Sequence, residues 1–305
     1  MDTHATASSL SLTFAGHSTV LLELDGVRLL TDPLLRKRIG VLIRRSPVPP
    51  PAVRRGLDAV LISHAHLDHL DVPSLRLIDR RTPVVAPRGL GGLLRRLGFV
   101  PREVDVGDEV EIKRLGPEAN GESGAGGEQG SGRENAADDE RGAGREHSAA
   151  FGSVRVRAVP ADHAGTRHPL AAESAALGYV VTGGLSAYFA GDTGLYDGMR
   201  DLAPVDVAVL PVGGWGPRLP DDHLNPLSAA KALQLLRPAA CVPVHWGTIY
   251  PPWLPPEFNA KWAEWPHAFA RYAAHLAPGV DVRVLRPGET TVFTPAVSAG
   301  EAAEE

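Results

Sequence analysis

A cluster of side chains that can bind metal lies in the segment ISHAHLDHLD, from Ile62 to Asp71. Its candidate ligands are His64, His66, Asp68 and His69. Imidazole and carboxylate bind zinc and similar cations without redox chemistry. A helix would separate these side chains, because residues two apart do not share a helix face, so a strand followed by a tight loop is favoured. The spacing H-x-H-x-D-H therefore predicts a metal site; a polar turn with solvated histidines is the alternative.

Three later apolar strands also run directly into a side chain that can bind metal. These side chains are His163, Asp192 and His245. Strand ends at one edge of a sheet converge on one place, where proteins of this class build their sites. Taken singly, His163 could be a surface histidine, and Asp192 could cap a turn.

The seven side chains divide into two metal sites in the interpretation that we favour. One metal is held by His64, His66 and His163, the other by Asp68, His69 and His245, and Asp192 bridges both. This arrangement leaves a position for a bridging water, which is typical of catalytic rather than structural zinc sites. The expected cofactors are two divalent metal ions, most readily zinc, with iron and manganese also compatible.

Composition limits the partners and the compartment. The formal net charge of −5 over 305 residues argues against binding nucleic acid through overall charge. The single cysteine, Cys241, excludes an internal disulfide and a zinc site with several thiolates. The N-terminus resembles no secretory signal, and no apolar run is long enough to span a bilayer, so a cytoplasmic location is expected. No pattern indicates an oligomeric state.

The rest of the chain alternates strands and helices, which predicts one α/β domain over residues 1–305. It opens with a β-meander over Leu10 to Leu30, whose turn Asp25-Gly26 is a strong hairpin signal. Phe258 to Leu276 is predicted as one long helix. Residues 116–150 contain no Val, Ile, Leu, Phe, Tyr or Trp, and are predicted to be a disordered insertion between two strands. His147 lies inside that insertion and is discounted as a ligand.

Two basic features are candidates for binding an anion. The segment 34–45 carries the cations Arg36, Lys37, Arg38, Arg44 and Arg45 around an apolar centre. It is either a solvated loop near the site or a surface for anionic substrates or membrane headgroups, with peripheral membrane contact at most. Arg167, shortly after His163, is a candidate to bind phosphate or carboxylate, and an ordinary surface arginine is the alternative.

Together these motifs resemble the metallo-β-lactamase fold superfamily. Within it, the chain is similar to the branch that contains N-acyl-phosphatidylethanolamine-hydrolysing phospholipase D and ascorbate-phosphate lactonase. Besides ISHAHLDHLD, the resemblance rests on AGHST at 15–19, LTDP at 30–33, FAGDTG at 189–194, PR at 217–218, HLNP at 223–226 and HWGT at 245–248.

The resemblance implies a four-layer αββα sandwich with the metals at one edge, between the sheets. It also implies roles for three residues outside the ligand set. Asp32 would orient a ligand, His223 would contact substrate or shuttle a proton, and His17 would have a structural or orienting role. Turn capping by Asp32 and exposure of the two histidines are the alternatives.

The implied reaction is hydrolysis of a small or lipid-like anionic substrate, most readily a phosphodiester, by a hydroxide held between the metals. Asp68 would hold the proton of this nucleophile, and His223 would protonate the leaving group. Hydrolysis of a lactone or another ester is the alternative. Other classes, a nuclease or a non-catalytic metal-binding protein, are disfavoured by the acidic charge and the complete ligand set.

Overall fold

The computed structural model describes residues 8–115, 152–165, 173–215 and 219–295. The strands of these residues are β1 (Leu10–Gly16), β2 (Thr19–Leu24), β3 (Val27–Thr31), β4 (Arg38–Ile39), β5 (Leu42–Arg44), β6 (Ala59–Leu61), β7 (Val84–Pro87), β8 (Pro101–Val104), β9 (Glu109–Lys113), β10 (Ser153–Pro160), β11 (Leu177–Thr182), β12 (Ser186–Phe189), β13 (Val207–Pro211), β14 (Ala240–Val244), β15 (Ile249–Tyr250), β16 (Asp281–Val282) and β17 (Thr290–Phe293). The helices are α1 (Val72–Leu75), α2 (Gly91–Arg96), α3 (Pro226–Leu236), α4 (Pro256–Ala263) and α5 (Trp265–Leu276), with short 3-10 helices at Pro51–Arg54 and Asp197–Leu202.

Two seven-stranded mixed sheets form the centre of the molecule. The first has the order β17-β1-β2-β3-β6-β7-β8, and the second has the order β16-β14-β13-β12-β11-β10-β9. The predicted opening meander is confirmed, since β1, β2 and β3 pair antiparallel in turn. Both residues of its second turn, Asp25 and Gly26, have positive φ values of 52° and 80°, which two-residue hairpin turns require.

Alternation along the strands produces the layers. Along β14, Val242 and Val244 pack in the core between the two sheets, whereas Cys241 packs in a separate outer core. This outer core lies between the second sheet and helices α3 and α5, and α1 and α2 cover the first sheet in the same way. Because side chains alternate between faces, one strand serves both layers. The chain therefore has the predicted αββα order of layers.

The low-complexity segment lies between two paired strands. β9 and β10 are antiparallel neighbours, and Lys113 pairs with Ser153. Residues 116–150 connect them and lie outside the described residues, as do His147 and Arg167. This pairing agrees with the prediction that the segment is inserted between two strands.

The predicted single helix from Phe258 to Leu276 is wrong, because α4 ends at Ala263 and α5 begins at Trp265. Pro266, at the start of α5, lacks the N–H that would continue the hydrogen-bond ladder of α4. Proline is favoured at the first positions of a helix, so it marks a new start here. In the described residues, no helix is both long and apolar enough to cross a membrane.

The basic segment is built into the fold in part, since Arg44 is buried whereas Lys37, Arg38 and Arg45 are exposed. β4, β5 and β15 form a small third sheet, and Arg44 at the end of β5 is only 2% exposed. Its guanidinium donates to the backbone carbonyls of Leu34 at 2.7 Å, of Pro47 at 3.0 Å and of Ala15. The prediction that this segment is solvated is therefore wrong for Arg44. Its planar guanidinium group donates hydrogen bonds to buried carbonyl groups that water does not reach. Membrane contact through residues 34–45 stays a prediction.

Replacing Arg44 by lysine is expected to destabilise the fold. A lysine ammonium presents its donors from one point and cannot reach three separated carbonyls, so Arg44→Lys should lower the free energy of unfolding by about 2–4 kcal/mol. Urea unfolding measures this loss. The exposed Arg38→Lys is the matched control, and its change should stay within about 0.5 kcal/mol. Equal stabilities of the two variants would contradict the structural role of Arg44.

Candidate metal centre

The predicted ligands meet where four strands of the two sheets end. β6 is a parallel strand between β3 and β7, and the chain leaves its end into a tight turn. In that turn, the backbone N–H groups of His69 and Leu70 both donate to the carbonyl of His66, at 3.1 and 2.8 Å. The turn directs the side chains of one short segment to one point, as predicted from their spacing. The other three ligands follow β10, β12 and β14 of the opposite sheet.

The side chains form two adjoining clusters. Within each cluster, one ligand atom per residue lies within 4.8 Å of all the others. The first cluster is His64, His66, His163 and Asp192, and the second is His17, Asp68, His69 and His245. All seven predicted ligands are therefore brought together, and His17 joins them. Their roles in binding metal stay predictions.

Asp192 contacts both clusters. It belongs to the first, yet its Oδ2 lies 3.2 Å from Nε2 of His69 and its Oδ1 lies 3.2 Å from Nε2 of His245. It lies three residues after the end of β12 and is 2% exposed. The bridging position predicted for Asp192 agrees with this placement.

Hydrogen bonds fix the tautomers of His69 and His64. The carboxylate of Asp32 accepts from Nδ1 of His69 at 2.8 Å, so Nδ1 carries the proton. The Ser63 hydroxyl donates its one proton to the same carboxylate at 2.6 Å. Nδ1 of His64, 2.8 Å from that hydroxyl oxygen, must therefore be the donor. Asp32 thus orients one histidine directly and another through Ser63, and leaves both Nε2 atoms facing the centre.

Backbone carbonyls orient two more histidines in the same manner. Nδ1 of His245 donates to the carbonyl of Gly213 at 2.9 Å, and Nδ1 of His163 donates to that of Asp222 at 3.0 Å. Partners of this kind fix the tautomer and the ring plane of metal-binding histidines. Four histidines are therefore held with Nε2 available.

The donor set fits a metal on two independent grounds. Within the described residues, Nε2 of His64, Nε2 of His66 and Oδ1 of Asp192 are buried without a hydrogen-bond partner, a costly state unless a ligand satisfies them. Burial also lowers the pKa of His66 to about 4 and that of His245 to about 3. These imidazoles are neutral at pH 7, as metal ligands must be.

Asp192 and the second cluster together stabilise a positive charge at the candidate site. Burial alone would raise the pKa of the Asp192 carboxyl, but His245 and His69 beside it hold that pKa well below its usual range. Burial likewise opposes protonation of His69, yet Asp192 and Asp68 raise its pKa well above the ordinary value. Two carboxylates thus surround a buried position that is favourable for a cation.

Backbone strain accompanies these placements. His17, Asp32 and His245 have φ values of 59°, 33° and 61°, in the left-handed region that residues other than glycine rarely adopt. The backbone N–H of His245 donates to the carbonyl of His17 at 2.9 Å, so two of these residues constrain each other. Non-glycine residues persist in this region where the surrounding structure over-determines them, often at functional sites.

Two side chains, those of Trp215 and His17, contact the carboxylate of Asp68. Its Oδ2 accepts from Nε1–H of Trp215 at 2.9 Å and lies 2.9 Å from Nε2 of His17. His17 belonged to a motif of the family resemblance, whereas Trp215 was not predicted. Its only signal is an aromatic residue after the Gly213-Gly214 pair that follows β13. Ser63 and Asp222 were likewise missed, because their types and positions are unremarkable along the chain.

A cavity of about 350 Å³ opens directly above the clusters. Its lining residues are His66, Leu67, Asp68, Asp192, Gly214, Trp215, Leu219, Pro220, His223 and His245. Part of the lining is apolar, and its Leu67, between two predicted ligands, is 47% exposed. His223 borders this space, with its Nε2 3.4 Å from Oδ2 of Asp192. Arg167, the predicted anion-binding residue, lies outside the described residues.

Comparison with known proteins identifies the family. The model of the beta-lactamase superfamily domain matches residues 27–246. The chain belongs to this family. The match spans the strands that carry the clusters and confirms the predicted metallo-β-lactamase superfamily.

Relatives within the family agree with this assignment. A UPF0173 metal-dependent hydrolase of Opitutus terrae is 30% identical over 303 residues, which cover 92% of this chain and 99% of that protein. The N-acyl-phosphatidylethanolamine-hydrolyzing phospholipase D 1 of Caenorhabditis elegans is 29% identical over 275 residues, 82% of this chain and 67% of that enzyme. Mycobacterium tuberculosis has a relative that is 32% identical, and the match spans 60% of its length.

A solved structure supports the fold. Igni18, a metallo hydrolase of Ignicoccus hospitalis, superimposes with a TM-score of 0.62 at 23% identity, over 93% of this chain and 98% of that one. The predicted metallo-β-lactamase fold is confirmed.

Proposed function

We propose that the chain is a dinuclear metal-dependent hydrolase, and that its substrate is a phosphodiester with an apolar substituent, of the phospholipid type. The observation that carries this proposal is the pair of adjoining clusters beneath a cavity with an apolar wall. The C. elegans relative, named as a phospholipase D, supports the choice of substrate class.

The ligand assignment follows the two clusters. His64, His66 and His163 would hold one cation, Asp68, His69 and His245 the other, and Asp192 would contact both. When bound, divalent cations supply Lewis acidity, which lowers the pKa of water and offsets negative charge on a phosphoryl group.

Two side chains are placed to move protons. Asp68 lines the cavity, and its Oδ2 is fixed by Trp215, so the carboxylate can accept and hold a proton from water. His223 borders the same cavity, and its Nδ1 lies 2.9 Å from Oδ1 of Asp222. Its Nε2 is therefore directed inward, where it can donate a proton to the leaving oxygen.

The apolar wall of the cavity predicts which substrates the site prefers. Leu67, Trp215 and Leu219 line the cavity beside the clusters and can pack against an acyl or alkyl chain. Burying such a chain contributes about 0.8 kcal/mol per methylene group. A substrate with a long apolar substituent should therefore bind more tightly than its short-chain analogue.

A substrate panel tests the reaction class. The protein is loaded with zinc, manganese or iron(II), bound metal is counted, and hydrolysis is assayed with long- and short-chain phosphodiesters, lactones, thioesters and β-lactams. We expect phosphodiester turnover that improves with chain length. Lactone turnover without phosphodiester turnover would replace the proposed substrate class with the alternative ester chemistry.

The apolar wall is tested by Leu67→Ser, at a half-exposed position where folding is little affected. We expect KM for the long-chain phosphodiester to rise about 4- to 15-fold, equivalent to one or two methylene contacts, and KM for the short-chain analogue to stay unchanged. Leu77→Ser, at a position 43% exposed and outside the cavity lining, is the control. A similar response of both substrates would exclude a chain-binding role for Leu67.

A further inference from the structure

Asp222 is a carboxylate between a predicted metal ligand and the candidate proton donor. Its Oδ2 lies 3.0 Å from Nδ1 of His163, and its Oδ1 lies 2.9 Å from Nδ1 of His223. The two carboxylate oxygens thus contact two histidines at once. The two imidazoles are themselves edge to face, with ring centroids 4.6 Å apart.

The chain that follows Asp222 is held in place by two sets of hydrogen bonds. Leu224 is fully buried, and its N–H donates at 2.7 Å to the carbonyl of Thr193, next to Asp192. Asn225 then caps α3 with reciprocal side-chain and backbone hydrogen bonds to Ser228. Asp222 is therefore held in register with the clusters by the start of a helix and by the loop that follows β12.

The two histidines depend on the carboxylate to different degrees. Nδ1 of His163 also donates to the main-chain carbonyl of Asp222 at 3.0 Å, a contact that no side-chain substitution removes. Among the described residues, the one partner found for Nδ1 of His223 is the Asp222 carboxylate. Losing that carboxylate should release His223 and leave His163 in place.

We propose that Asp222 is a positioning residue that orients His223 towards the cavity while its own backbone orients His163 towards the metal centre. Both histidines then present Nε2 on the same side: that of His163 lies 3.3 Å from His66, and that of His223 lies 3.4 Å from Asp192. One residue thereby sets the spacing between the metal centre and the proton donor. The expected effect of Asp222 on turnover rests on the proposed function, whereas the hydrogen-bond geometry is independent of the reaction.

Asp222→Ala tests this role in the metal-loaded full chain, with a long-chain dialkyl phosphate as substrate, because its alkoxide leaving group needs a proton. We expect kcat to fall about 10- to 100-fold, the usual effect of losing such a partner, with KM and the metal count per chain unchanged. Asp222→Asn should be intermediate, because its single oxygen can still accept from His223. The exposed neighbour Asp221→Ala removes the same charge one residue away and should match the parent protein.

A double variant tests whether Asp222 acts through His223. If it does, adding Asp222→Ala to His223→Ala should slow kcat by no more than about twofold beyond His223→Ala alone. Independent, multiplying effects of the two substitutions would overturn the proposal. Loss of bound metal in Asp222→Ala would do so too, since the carboxylate would then act mainly on His163.

A readout without substrate separates this proposal from the proposed function. In the zinc-loaded protein with ¹⁵N-labelled histidine, long-range NMR correlations report which ring nitrogen carries a proton. Asp222→Ala should abolish the Nδ1–H preference of His223, keep that of His163, and differ in this from Asp221→Ala. An unchanged His223 signal would overturn the positioning role. A protein with the expected signals but no phosphodiester turnover would contradict the proposed function alone.

Discussion

Asp192→Asn should abolish hydrolysis and loosen metal binding. The carboxylate contacts both clusters, with 3.2 Å to His69 and 3.2 Å to His245, and the neutral amide would lose the negative charge and one of the two oxygen atoms that can bind a cation. Removing partners that only orient ligands already costs about 10- to 100-fold in affinity or activity, so loss of a shared ligand should exceed 100-fold in kcat. Turnover assays with metal analysis by mass spectrometry measure both effects.

The matched control for Asp192→Asn is Asp197→Asn, which makes the same chemical change at a side chain 97% exposed. Its activity and metal content should equal those of the parent protein. Full turnover with normal metal content in Asp192→Asn would exclude the dinuclear mechanism.

Asp32→Ala should weaken both the fold and the metal centre. The fully buried carboxylate accepts from the backbone N–H of Ser63 at 2.7 Å, from its hydroxyl at 2.6 Å, and from Nδ1 of His69 at 2.8 Å. Each buried donor left unsatisfied costs about 1–3 kcal/mol, so for these three donors the free energy of unfolding should fall by about 3–9 kcal/mol. Metal affinity should fall about 10- to 100-fold, because His69 and His64 lose their orientation.

Asp32→Asn removes the negative charge of this side chain and keeps its shape. Asparagine tolerates the left-handed backbone at this position, where φ is 33°, and its oxygen can still accept one of the three hydrogen bonds. Urea unfolding of the metal-free protein should rank the parent above Asp32→Asn and Asp32→Ala last. Metal titration with a competing chelator should give the same order. If alanine matched the parent in both measurements, Asp32 would have no orienting role.

The grouping of the candidate ligands could largely be predicted because its information is local. The spacing from His64 to His69 lies within one turn, and the apolar runs before His163, Asp192 and His245 mark strand ends. Short-range patterns of this kind do not depend on how distant segments meet. The αββα order of layers, by contrast, was implied by the family resemblance.

The residues that orient the ligands could not be predicted in this way. Ser63, Asp222 and Trp215 act through hydrogen-bond networks that exist only in the folded chain: Ser63 requires Asp32 at the end of a neighbouring strand, Asp222 meets His163 from a distant loop, and Trp215 reaches Asp68 from the opposite sheet. Arg44 appeared as one cation among several, and only the fold reveals which of them is enclosed by carbonyl groups. The break between α4 and α5 is marked in the sequence by Pro266. Apolar periodicity continues across it and favours one long helix.

The left-handed backbone at His17, Asp32 and His245 places side chains of the candidate site but lowers the stability of the fold. Each such conformation costs about 1 kcal/mol or more for a residue with a side chain, and glycine would relieve it. Glycine would also delete the imidazole or carboxylate that the conformation places. Selection for heat resistance alone would therefore erode His17 and His245 before Asp32, whose three hydrogen bonds outweigh the strain, and a thermostable descendant that retains both histidines has been selected for its reaction as well.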